Sequence, residues 1–123
     1  MNGFAGHVLS VEVIYDITQP DKKNNYTVTG NLKQVLQESL SVAKINALKM
    51  LPKDLQEKAL SNNYHIHFLQ GSTPKDGPSA GLSVCTALLS RILDKPIPSN
   101  LAMTGELSLN GDVYKIGNNT KTF

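Results

Sequence analysis

The stretch YHIHFLQGSTPKDGPSAGLSVCTALLSRIL, residues 64–93, decides how this chain is read. Tyr64, Ile66 and Phe68 alternate with His65, His67 and Leu69, the two-residue period of a strand with one buried face. From Ser79 onward Leu82, Cys85, Leu88, Leu89 and Ile92 recur at helical spacing, so a helix is expected over about 79–93. Between them lies QGSTPKDGP, rich in turn residues. The segment is therefore a strand, a loop and a helix with Ser79 at the helix start. A serine there is commonly an N-cap. It is also where backbone N–H groups and a partial positive charge could hold an oxyanion, should its hydroxyl attack a carbonyl. Gly77 and Gly81 would let another chain come close to the backbone.

Working outward, Leu9, Val11, Val13 and Tyr15 predict a strand over about 8–16, and YTVTG (26–30) a second. The polar TQPDKKNN (18–25) between them reads as a turn or flexible loop, so the two strands are expected to pair as a hairpin. Asn31 is read as an N-cap. An amphipathic helix over about 32–51 follows, with Leu32, Val35, Leu36, Leu40, Ala43, Ala47 and Met50 inward, ended near Pro52. PKDLQEKAL adds a short helix. LAMTGELSL and DVYKIG read as paired strands joined at Asn110-Gly111, a strong hairpin signal. The expected elements mix strands and helices, an α/β chain.

Composition narrows the function classes. The chain has 123 residues, room for one domain, and 40% hydrophobic with 18% charged residues is ordinary for a globular fold. Its net charge is only +2, it has no tryptophan, and Arg91 is the one arginine among 12 basic residues. Nothing in that favours nucleic acid. Cys85, the single cysteine, cannot form an intrachain disulfide and is read as core. No segment approaches the roughly 18 apolar residues of a membrane span, and no signal peptide is visible, so membrane association and secretion are not expected.

GSTPKDGPSAG closely resembles the nucleophile motif of the Lon family of ATP-dependent proteases. NLKQVLQESLSVAK, the HIH strand and LAMTGELSLNGDVYKIG resemble that family's flanking segments in the same order, so the likeness covers about residues 26–117. It implies a mixed sheet with packed helices, of the class of domain 2 of ribosomal protein S5. It implies one proteolytic domain over 1–123, incomplete at the C-terminus, and a serine–lysine dyad with Ser79 as nucleophile. The family pattern I-G-G-x-K-E-K meets IGNNTKTF here. Aligned without a gap, its catalytic lysine falls on Thr122; with one deletion it falls on Lys121, the assignment preferred. Lys75 is a further candidate base.

In this scheme Asp76, Thr104, Glu106, His65 and His67 support the site, and Gly77, Pro78 and Ala80 form the oxyanion loop. No metal or cofactor is expected in this chain, and ATP would bind a separate ATPase module. Substrates would be unfolded or damaged polypeptides, the assembly a hexameric homo-oligomer, and the compartment the mitochondrial matrix or bacterial cytoplasm. The alternative implied by the altered lysine segment is an inactive assembly or interaction module.

Overall fold

The computed structural model describes residues 10–69, 80–96 and 106–114. Its elements run β1 (Val11–Tyr15), β2 (Tyr26–Thr29), α1 (Gln34–Lys49), α2 (Lys53–Leu60), β3 (Tyr64–Phe68), α3 (Gly81–Leu93), β4 (Glu106–Leu107) and β5 (Val113–Tyr114). The architecture is mixed α/β, as the sequence implied.

β3 is the central strand of a three-stranded sheet ordered β1-β3-β2. It pairs antiparallel with β1, Val13 opposite Ile66, and parallel with β2, Val28 opposite Ile66. The expected β1–β2 hairpin therefore does not form. The reason lies in the connection: Asn63 sits between the two strand ends and holds the loop open. It is buried, its Nδ2 donates to the carbonyls of Gln19 and Lys22 at 2.9 and 2.8 Å, and its Oδ1 accepts from the Asn25 N–H at 3.0 Å. The backbone of 62–64 adds bonds to Asp16, Asn24 and Asn25, so the polar segment 18–25 wraps the start of β3 instead of turning tightly. At its start the Thr18 hydroxyl and N–H both donate to Asp16, which holds that carboxyl below its ordinary pKa.

The alternation in β3 is as read. Tyr64, Ile66 and Phe68 are fully buried, while His65 and His67 are only partly so. Helices α1 and α3 pack on each other, and α3 also packs on β1. The core gathers Val13, Ile66 and Phe68 with Leu36, Leu40 and Ala43 from α1 and Val84, Cys85, Leu88 and Ile92 from α3. One face of the sheet thus carries the apolar side chains, and the other carries Glu12, Ile14, His65 and His67, the two-layer solution for an amphipathic sheet. Burial pushes the Cys85 thiol pKa up, in keeping with its place in the core. A row of tyrosines crosses the sheet: Tyr64 stacks on Tyr26 at 4.9 Å between centroids and meets Tyr15 at 5.5 Å. The Tyr64 hydroxyl donates to the Ala59 carbonyl at 2.9 Å, tying β3 to the end of α2.

Helix α1 is shorter than the periodicity suggested, and Val35 and Met50 are exposed. Its start is not capped by Asn31. That residue lies in the left-handed region (φ 62°) directly after Gly30 (φ 124°), so the chain turns sharply before the helix begins. A residue in that conformation cannot act as the extended N-cap, and Lys33 takes the N-cap position.

The expected second hairpin is present. β4 and β5 pair antiparallel, Leu107 opposite Val113. Asn110 keeps negative φ and only Gly111 is left-handed (φ 90°), so the connection is a turn closed by the Gly111 N–H to the Ser108 carbonyl at 3.0 Å, with Gly111 as the bulge residue.

Candidate functional site

Ser79 and Lys121 lie outside the described residues, as do Lys75, Asp76, Gly77, Pro78 and Thr104. The frame on either side of them is described. β3 ends at Phe68, in the core, and Ala80 and Gly81 open α3, both buried. Ala80 is helical (φ −84°, ψ −6°), and its carbonyl accepts the Val84 N–H at 2.9 Å. Ala80 is therefore the N-cap of α3, whose first turn of unpaired N–H groups begins at Gly81.

The start of α3 packs against β4. A Cβ built on Gly81 would stand 3.5 Å from the Leu107 amide nitrogen and 3.7 Å from its Cβ. Gly81 is two residues beyond Ser79, and Leu107 is three beyond Thr104 and one beyond Glu106. The fold therefore sets Gly81, the last residue of PKDGPSAG, beside Leu107, which directly follows LAMTGE in the chain. Glu106 itself is exposed on β4, opposite Tyr114.

Helix α1 holds the hairpin in position. Asn46 is 4% exposed, and its Nδ2 donates to the Val42 carbonyl at 3.0 Å and across to the Ser108 carbonyl at 2.9 Å. Lys49 Nζ donates to the Leu109 carbonyl at 2.8 Å. Pattern reading passed over Asn46 because it is polar. The signal was its phase, three residues after Ala43 and next to Ala47 on the buried stripe.

His65 and His67 are joined by a residue the sequence reading did not single out. Thr29 Oγ1 lies 2.9 Å from His65 Nε2 and 2.6 Å from His67 Nδ1. A hydroxyl has one hydrogen to donate, so at least one of those two ring nitrogens carries its own hydrogen. Both rings stand on the sheet face opposite the core side chains of β3. The signal for Thr29 was register: it pairs with His67 across the parallel ladder, and only a strand order with β2 beside β3 reveals that.

Among the described residues no group of three or more His, Cys, Asp or Glu side chains could hold a metal ion. No helix there is long and apolar enough to cross a membrane.

A mixed sheet with helices on its apolar face, whose central strand β3 is followed in the chain by α3, defines an α/β domain, and in sequence the candidate nucleophile stands two residues before that helix. Residues 2–122 match the family described as the Lon protease (S16) C-terminal proteolytic domain. The chain belongs to that family. It is 46% identical over 100 residues to a Lon protease of Buchnera aphidicola subsp. Schizaphis graminum, covering 77% of this chain and 12% of that protein. It is 41% identical over 117 residues to a Lon protease of Buchnera aphidicola subsp. Acyrthosiphon pisum (91% and 14%). The mitochondrial Lon protease homolog of Bos taurus is 46% identical over 104 residues (83% and 11%). The matched region spans only 11% to 14% of these relatives.

Proposed function

We propose that this chain is the catalytic part of a serine peptidase working through a Ser79–Lys121 dyad. A neutral Lys121 amine takes the Ser79 proton as Oγ bonds to the peptide carbonyl carbon, and backbone N–H groups at the start of α3 hold the oxyanion. The C–N bond then breaks, and the amine leaves with the proton from Lys121. Water, deprotonated by the same lysine, releases the acyl group. A lysine can serve only if burial or a neighbouring cation lowers its pKa. The observation that carries this reading is the packing of Gly81 against Leu107, residues at the ends of the two motif segments in sequence. Unfolded polypeptides delivered by a separate ATPase module, and a homo-oligomeric ring, are what the family likeness adds. The relatives' names point to mitochondria and bacteria as the compartments.

A fluorophosphonate probe tests it. The chain should gain one adduct, mapped to Ser79, and Ser79→Ala should gain none. Lys121→Met should slow labelling as completely as it slows peptide hydrolysis, because the two residues act as one unit. Labelling that persists in Lys121→Met moves the base elsewhere, with Lys75 next. A second reading, an interaction module without a working base, is favoured by IGNNTKTF in place of the family's lysine segment. It predicts no adduct at Ser79.

A further inference from the structure

Away from the start of α3, a cleft of about 410 Å³ opens between the end of β2 and α1. Thr29 and Asn31 line one side, Gln37, Ser41 and Lys44 the other, and Leu40 lies between them. The three α1 residues follow at i, i+4 and i+7, one stripe of the helix. The volume falls in the range of roughly 300–1,000 Å³ that suits a peptide or similar organic ligand rather than a single small ion.

Lys44 is the unusual member. It is partly buried, and its Nζ stands 4.3 Å from the centroid of Tyr26. Burial lowers its pKa, and no acidic group among the described residues offsets that cost. The ring face stabilises the ammonium from one side and leaves its N–H donors without a described acceptor. The Ser41 hydroxyl and the amides of Asn31 and Gln37 are the other polar groups around the cleft, the Thr29 hydroxyl being turned to His65 and His67. A partly desolvated cation so placed calls for an anion.

β2 supplies the second half of the argument. It is an outer strand of the described sheet, with β3 on its inner side. Such an edge offers backbone donors and acceptors to an added extended chain. β2 and β3 run parallel, so this end of β2 and the end of β3, from which the chain leads to Ser79, lie at the same end of the sheet.

We propose that the β2–α1 cleft binds an extended peptide segment through a carboxylate that meets Lys44. Taking a polypeptide as the ligand rests on the peptidase reading, but the test reads binding and not cleavage. Fluorescein-labelled pentapeptides Ala-Val-X-Val-Ala are titrated by anisotropy against the Ser79→Ala chain. X is Glu or Gln with a C-terminal amide; a third peptide has Gln with a free C-terminal carboxylate.

The Glu amide should bind about tenfold more tightly than the Gln amide, as a charge-assisted hydrogen bond warrants. Lys44→Met, which keeps the stem over Tyr26, should erase that preference. Lys44→Arg should keep it within about threefold, since a guanidinium also stacks on aromatic rings. Tighter binding of the free-carboxylate peptide than of the Glu amide would make the chain terminus the source of the anion; the reverse order would make it the side chain. Equal affinity for the Glu and Gln amides, or a preference that survives in Lys44→Met, overturns the site. Charge-selective binding without Ser79 labelling in the unsubstituted chain would sink the peptidase reading and leave this one standing.

Discussion

Two glycines in this molecule sit at element starts and obey different rules. Gly30, between β2 and α1, has φ 124°, and a Cβ there would stand 2.4 Å from the Phe68 carbonyl oxygen and 2.8 Å from Phe68 Cβ. Gly81, at the start of α3, is helical, and its nearest prospective contact is an ordinary 3.5 Å from Leu107. The first is fixed by the fold, because Phe68 of the central strand occupies the space a side chain would need. The second has room for a methyl group, so the close approach expected of Gly81 is not sterically demanded by this chain's own β4. The contrast separates a glycine required for folding from one whose requirement, if any, lies with what binds.

Substitutions should break or sharpen that contrast. Gly30→Ala should cost the most, on the order of 3 kcal/mol or more, from left-handed strain plus the overlap with Phe68. Urea denaturation should show the midpoint falling steeply; a loss under about 1 kcal/mol would mean β2 and β3 can separate there cheaply. Asn46→Leu comes next, at about 2 kcal/mol, because it strips a buried donor from the Ser108 carbonyl that faces it. Amide exchange should quicken most in β4 and β5, since Asn46, with Lys49, bonds α1 to their turn. Gly81→Ala should change stability least, by less than about 1 kcal/mol, helix propensity favouring the alanine. If PKDGPSAG needs that glycine for a bound substrate, kcat/KM should drop while the denaturation midpoint holds. Parallel loss of both would place its role in packing after all.

How much could be read beforehand follows from which interactions are local. The two faces of β3 and the buried stripe of α3 were legible because a period of two and a period of 3.6 are properties of neighbouring residues. The β4–β5 hairpin was legible for the same reason, through Asn110-Gly111. Strand order was not. Pairing β1 with β2 suited their separation in sequence, but Asn63, some forty residues on, occupies the space between their ends and bonds the intervening loop. Asn31 misled because asparagine suits both an N-cap and a left-handed turn, and the choice was set by Phe68 beside Gly30. At the candidate site, Ser79 and its motif stood out as sequence. The meeting of Gly81 with Leu107, and the bridging of His65 and His67 by Thr29, depend on tertiary contacts that no local pattern encodes.

The tyrosine row gives the protein an optical identity. The chain has four tyrosines and no tryptophan. Tyr15, Tyr64 and Tyr26 come one each from β1, β3 and β2, with Tyr26 and Tyr64 stacked 22° apart. Aromatic chromophores in van der Waals contact share their excitation, so the near-ultraviolet dichroism should be dominated by that row. Its amplitude is then a gauge of strand registration across the whole sheet. Burial holds the Tyr64 phenol well above its ordinary pKa, so its ionisation band should appear only once the sheet opens. Alkaline spectrophotometry could therefore follow unfolding of the sheet without any label.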